Sequence, residues 1–65
     1  MYNLIGVDGN AYAIMGYVAK AMRKEGYSKE EIEAYFEDAK SSDYNHLVSV
    51  SGAKIREINK KLQEK

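Results

Sequence analysis

The 65-residue chain contains no cysteine and no proline, and it has a single histidine. Without cysteine, neither a disulfide nor a thiolate zinc site can stabilise a domain of this size. One imidazole excludes most other transition-metal sites, and no phosphate-binding or calcium-binding loop is present. We therefore expect no metal and no cofactor, and we expect stability to come from efficient helix packing or from a partner.

Long hydrophobic runs and a net charge are also missing. No segment approaches the ~18 apolar residues of a membrane span, and no secretory signal begins the sequence, so we expect a cytoplasmic protein without a membrane partner. Ten basic and ten acidic residues cancel overall. They are nevertheless segregated: residues 28–43 carry two cations and six anions, a net −4, whereas residues 44–65 carry five cations and two anions, a net +3.

The sequence does contain a series of amphipathic segments separated by turn residues. The pattern predicts a mainly α fold in a single domain of residues 1–65: a small bundle of three to four short helices with an extended N-terminal arm. The alternation at 47–51 leaves a half-buried strand open as an alternative there. The expected arm and its closing turn span 1–9, and the candidate helices span 10–25, 28–40, 43–50 and 53–63.

Helix boundaries are marked most clearly around residues 26–31. Gly26 is a left-handed stop for the first helix. Ser28 and Glu31 form the capping box of the second helix, in which each side chain bonds the other residue's backbone N–H. Tyr27 and Ile32 occupy the positions of a hydrophobic staple. Gly52 then predicts a break between the last two segments.

Candidate catalytic and metal-binding residues are few. His46 is the only imidazole, and Asp43 lies one helical turn before it, but no nucleophile is placed with them. We interpret His46 as a packing or capping residue, Asp43 as a helix cap, and the Glu30, Glu33 and Glu37 face as solvated. The sequence therefore predicts a protein that is not an enzyme.

The first helix is apolar on more than the face needed for the core. Gly16, which costs a helix about 1 kcal/mol relative to alanine, would allow another backbone or a flat ligand to approach closely. Either the N-terminal arm or another molecule should cover this side, and we favour a partner. Tyrosine is enriched at such surfaces, and six are present. The candidate partner-binding residues are Tyr12, Ala13, Gly16, Tyr17 and Lys20.

A second hypothesis is nonspecific binding of nucleic acid by the basic C-terminal helix. The contacts would come from its positive side chains and would read no base sequence. The second helix cannot serve as a recognition helix, because its surface is acidic. The candidate residues are Lys54, Arg56, Lys60 and Lys61.

Two segments resemble a known group of proteins. The segments Asp-Gly-Asn-Ala at 8–11 and Asp-Tyr-Asn-His-Leu at 43–47 are similar to those shared by a group of small proteins in bacterial and phage genomes. The similarity spans residues 5–48, whereas the basic, helical tail departs from the strand-like tails of that group. No activity is established for the group, so the resemblance implies a mobile-element context and nothing about chemistry.

Together these features predict a non-enzymatic module of mobile-element type that binds protein or sequesters a ligand. We expect it to self-associate through the first helix. The expected partner is a second copy of the chain or a host protein, with a small ligand as a further candidate and nucleic acid ranked below them.

Overall fold

The computed structural model describes residues 1–64, which form three helices and no strand. Helix α1 spans Ala11–Lys24, α2 spans Lys29–Ala39 and α3 spans Tyr44–Gln63. Each helix packs against the other two. The predicted mainly helical fold is confirmed, with three helices rather than four. None of these helices is long and apolar enough to cross a membrane.

The helices share one core, built from the apolar stripe of each. At its centre the side chains of Val18, Met22 and Ile58 are completely buried. The one buried polar side chain among the described residues, Ser51, shares a hydrogen bond of 2.6 Å between its Oγ and the hydroxyl of Tyr35. This bond joins α2 to α3 and satisfies both hydroxyls inside the core.

Every helix begins at a side-chain cap. The carboxamide of Asn10 accepts from the backbone N–H of Tyr12, and the carboxylate of Asp43 accepts from that of His46. Ser28 and Glu31 make both bonds of the capping box, with distances of 3.1 and 3.0 Å. The caps at 28 and 43 therefore lie where the sequence predicted them, and the first helix begins at the expected turn.

The predicted break between 43–50 and 53–63 is wrong, because α3 runs through Gly52 without interruption. Residues 47–51 are helical, which also excludes the strand alternative. Leu47, Ser51, Ile55 and Ile58 form the buried stripe at helical spacing. The polar member of this stripe is Ser51, which is buried because it bonds Tyr35 on another helix. A serine at a buried position interrupts the apolar repeat, so the sequence does not show one continuous helix.

The N-terminal segment is less extended than expected and folds back onto the bundle. A turn closes with the Val7 N–H donating to the Leu4 carbonyl, and Gly6 takes a positive φ of 91° there. The backbone of Tyr2 exchanges two hydrogen bonds, of 2.9 and 2.8 Å, with the side-chain amide of Asn59 on α3. The hydroxyl of Tyr44 donates to the Gly9 carbonyl. The segment is thus held at both ends by α3.

We expect Ser28→Ala to lower the free energy of unfolding by about 1 kcal/mol, because the first turn of α2 loses its cap. Urea unfolding followed by far-ultraviolet circular dichroism measures this change. Ser49→Ala, an exposed serine within α3, is the control and should not lower stability. Equal losses for both variants would show that the cap contributes nothing.

Gly52→Ala distinguishes a continuous α3 from two helices. A Cβ atom at position 52 would meet only the Arg56 guanidinium at 3.7 Å, an ordinary contact. Alanine should therefore raise the free energy of unfolding, by up to ~1 kcal/mol, as it does inside a helix. If residue 52 were instead a left-handed stop between two helices, the same urea experiment would show a loss.

Candidate functional site

The arm and α1 meet along one edge of that helix, at Tyr17. The Tyr17 hydroxyl accepts from the backbone N–H of Asn3 at 2.9 Å. The ring of Tyr2 stands edge-on to the Tyr17 ring, with centroids 6.3 Å apart. Tyr17 is therefore half-buried beneath the arm of its own chain, and its role in partner binding stays a prediction. Ala13, on the same side of α1, is half-buried.

The opposite edge of α1 is open. Tyr12, Gly16 and Lys20 lie in a row at intervals of four residues, and all three are exposed. Tyr12 has 79% of its surface exposed, a high value for an aromatic side chain. A Cβ atom added at Gly16 would have no neighbour within 4 Å, so the arm does not cross this glycine. The structure thus separates Tyr12, Gly16 and Lys20 from the other two candidates.

A groove runs along this open edge, between α1 and α2. We call it the α1–α2 groove, and it consists of two open pockets that share Phe36. A third pocket adjoins it at Tyr12 and Lys40 and is also lined by the α2–α3 turn and the start of α3. The pockets hold about 260 to 340 Å³ each, at the lower limit of the roughly 300–1,000 Å³ typical of sites that enclose a small ligand. The apolar lining of the groove comes from Tyr12, Met15 and Gly16 of α1 and from Ile32 and Phe36 of α2.

Charged side chains border the groove at both ends. Arg23, Lys29 and Glu33 line the end near the α1–α2 turn, and Lys40 lines the other end, beside Tyr12. Lys29 and Glu33 pair at 4.0 Å while largely exposed, which stabilises the fold little. The Lys40 ammonium lies 5.9 Å from the centre of the Phe36 ring. An apolar floor with a charged border is typical of a protein-docking surface.

The two helices beside the groove differ in their overall charge. Helix α1 has three cations and no acidic residue, whereas α2 has one cation and five acidic residues, a net −4. The exposed Lys20 and Arg23 of α1 take part in no ion pair within the described part of the chain. The carboxylate of Glu30 likewise has none there. The helices thus differ in charge, although the charged side chains that line the groove itself are three cations and one carboxylate: Arg23, Lys29, Lys40 and Glu33.

His46 lies outside the groove, where it joins the end of α2 to the start of α3. Its Nε2 is 3.0 Å from the Asp38 carbonyl oxygen, 3.1 Å from the Asp38 carboxylate and 3.4 Å from the Ser41 hydroxyl. A relay of nucleophile, base and orienting acid uses both ring nitrogens, whereas these contacts share one. Asp43 caps the helix through the backbone N–H of His46, as the sequence predicted.

The basic C-terminal candidates are partly engaged with a tyrosine. The ammonium groups of Lys61 and Lys54 lie 4.3 and 5.6 Å from the centre of the Tyr27 ring. Lys54 also pairs with Glu57 at 3.2 Å, and the Tyr27 hydroxyl donates to the same carboxylate at 2.7 Å. Arg56, Lys60 and Lys61 are exposed and Lys54 is half-buried, and their role in nucleic-acid binding stays a prediction.

Sequence reasoning missed the contribution of α2 to the groove. The helical spacing of Ile32, Tyr35, Phe36 and Ala39 predicts one buried stripe, yet Phe36 is half-buried and forms part of the groove lining. The signal was present in the helical spacing, because Phe36 lies between Lys29, Glu33 and Lys40 on one side of α2. A phenylalanine among exposed charges is at the margin of a core rather than at its centre.

Comparisons with protein families, with curated protein sequences and with solved structures found no match.

The Tyr27–Glu57 contact predicts a pH dependence of stability. The hydrogen bond from Tyr27, helped by Lys54, lowers the pKa of Glu57 below its usual value of 4.5. A lowered pKa stabilises the fold above pH ~4.5, and this contribution is lost as the pH falls through the lowered pKa. Tyr27→Phe should therefore reduce the loss of stability between pH 5 and 3, measured by urea unfolding. Parallel pH profiles for the variant and the parent would contradict this.

Proposed function

We propose that this protein is a non-enzymatic protein-interaction module that docks its partner in the α1–α2 groove. The observation that carries the proposal is the open apolar lining of this groove, with Tyr12 79% exposed at one end and bare backbone at Gly16 beside it. Tyrosine at a desolvated contact supplies large apolar area and a hydrogen-bonding hydroxyl, which is why it is frequent at interaction hot spots.

The shape of the groove favours a protein partner over a small ligand. Its two pockets are open and share Phe36, so that they form a strip between two helices. A helix or a pair of helices can lie along such a strip, and Gly16 allows the partner's backbone or a ring to come close. A second copy of the chain and a host protein are the candidate occupants.

Site-specific photo-cross-linking in cells that express the full chain tests this proposal. A photoreactive phenylalanine replaces Tyr12 in one variant and Ile5, an arm residue that is 88% exposed, in the matched control. We expect cross-linked products from position 12 and not from position 5. Adding Gly16→Leu to the position-12 variant should remove them, because overpacking an interface costs about 1–3 kcal/mol.

The blocking substitution is compatible with the fold. Nothing lies within 4 Å of a Cβ atom at position 16 and the residue is exposed, so a leucine side chain can extend into solvent. Gly16→Ala should raise the free energy of unfolding by up to ~1 kcal/mol, which verifies that the helix accepts side chains there. Equal cross-linking from positions 5 and 12, or cross-linking unaffected by Gly16→Leu, would show that the groove is not the docking surface.

A further inference from the structure

We infer that the face of α1 and α3 beneath the N-terminal arm is a binding site for an extended peptide, and that the arm is its internal competitor. The polar contacts of this face come from Tyr17, Glu25 and Asn59, and we call it the arm site. The occupant from outside is a segment of another protein that carries a tyrosine and, two residues later, an aliphatic side chain. The arm site lies on the edge of α1 opposite the α1–α2 groove and does not depend on docking there.

The arm site holds the arm chiefly by its main chain. The carboxamide of Asn59 accepts from the N–H of Tyr2 at 2.9 Å and donates to the carbonyl of the same residue at 2.8 Å. The Tyr17 hydroxyl accepts from the next N–H, that of Asn3, at 2.9 Å. Main-chain groups are common to all peptides, and recognition of extended segments relies on them for affinity. The same three bonds can therefore hold a segment of different sequence.

Side chains at alternate positions of the arm supply the selectivity. Tyr2 and Leu4 are half-buried against the core, whereas Asn3 and Ile5 are exposed. The Tyr2 hydroxyl donates to the Glu25 carboxylate at 2.7 Å. Extended peptides are selected in this way, by alternate side chains that enter pockets while the main chain is hydrogen-bonded. The arm thus shows which pattern the site accepts: tyrosine, any residue, then an aliphatic residue.

The arm is attached in a way that allows displacement. Every residue from 1 to 10 is exposed or half-buried, so the arm can open at less cost than the core. It joins α1 through a short segment with a turn at Gly6, whose φ is 91°. A short tether keeps the arm at an effective concentration of ~1 mM beside its site. An incoming peptide must therefore bind more tightly than the arm does.

This competition excludes the arm of a second copy as the occupant. That arm would make the same contacts as the tethered one, but at a concentration in solution far below ~1 mM. A segment of another protein is not limited in this way, because residues on either side of its tyrosine and aliphatic residue can add contacts that the arm lacks. The expected partner is therefore a foreign protein.

Binding of a synthetic peptide to the full chain tests the arm site. The probe is the peptide of residues 1–7 with a fluorophore at its C-terminal end, followed by fluorescence anisotropy. Tyr2→Ala with Leu4→Ala removes the inward side chains of the arm and gives the opened chain. With a probe dissociation constant of ~100 μM and the tethered arm at ~1 mM, the opened chain should bind about tenfold more tightly than the parent. Ile5→Ala, at an outward position, is the matched control and should bind as the parent does.

Two further changes identify the contacts that hold the probe. Adding Asn59→Ala to the opened chain should weaken binding by at least about tenfold, because both main-chain bonds to the tyrosine are lost. A probe with phenylalanine in place of tyrosine loses the bond to Glu25 and should bind severalfold more weakly. Circular dichroism of each variant verifies that helicity is kept.

The parent chain provides a second test that needs no substitution. In nuclear magnetic resonance spectra of the isotope-labelled parent, a several-millimolar excess of unlabelled probe should move the backbone amide signals of Asn3 and Ile5 to the positions of an unstructured segment. The amide of Gly16, on the other edge of α1, should not move.

Three results would overturn the inference. The first is an opened chain that keeps its helicity and does not bind the probe, and the second is binding that survives Asn59→Ala. The third is a parent dimer that is lost in the opened chain, which would assign the site to arms exchanged between two copies. Cross-linking from position 12 is unaffected by any of these results, so the docking proposal is judged separately.

Discussion

A short chain can bury an apolar helix only against other segments of the same chain. In this protein the limit applies to α1, and it determines how the other segments are arranged. That helix is apolar around most of its circumference, and three segments are available to it: α2, α3 and the arm. The two helices cover the face of Val18 and Met22, and the arm covers the edge of Tyr17. Nothing remains for the edge of Gly16. The groove is therefore what three neighbours leave uncovered, and no local defect of packing is needed to explain it.

The features of the fold that could be predicted from sequence are those decided within one or two turns. Ser28 and Glu31 form a capping box because both partners lie three residues apart, and Asp43 caps α3 for the same reason. The predicted break at Gly52 was wrong because glycine occurs both inside helices and at their ends, and the residue alone does not distinguish the two positions. The deciding fact is the Tyr35–Ser51 bond, which links residues on two helices and places a serine in the core stripe.

The candidate site was predictable only in part, and for a related reason. Helical spacing placed Tyr12, Ala13, Gly16, Tyr17 and Lys20 on one side of α1, and the structure leaves Tyr12, Gly16 and Lys20 exposed there. The spacing could not separate Tyr17 from them, because what covers Tyr17 is the backbone of Asn3, fourteen residues away and in no regular structure. The hydrogen bonds between Tyr2 and Asn59 join positions 57 residues apart. Contacts of this range depend on how the helices pack, which no local pattern contains.

The contacts of the arm also form after the helices. The helices depend on contacts near in sequence, which form quickly, whereas joining Tyr2 to Asn59 requires closure of almost the whole chain. The arm contacts are few and half-exposed, so they form late and open locally at less cost than global unfolding. Each opening uncovers Tyr17 while the core stays intact. Amide hydrogens of the arm should accordingly exchange with solvent through these excursions, and those around Met22 and Ile58 only through complete unfolding.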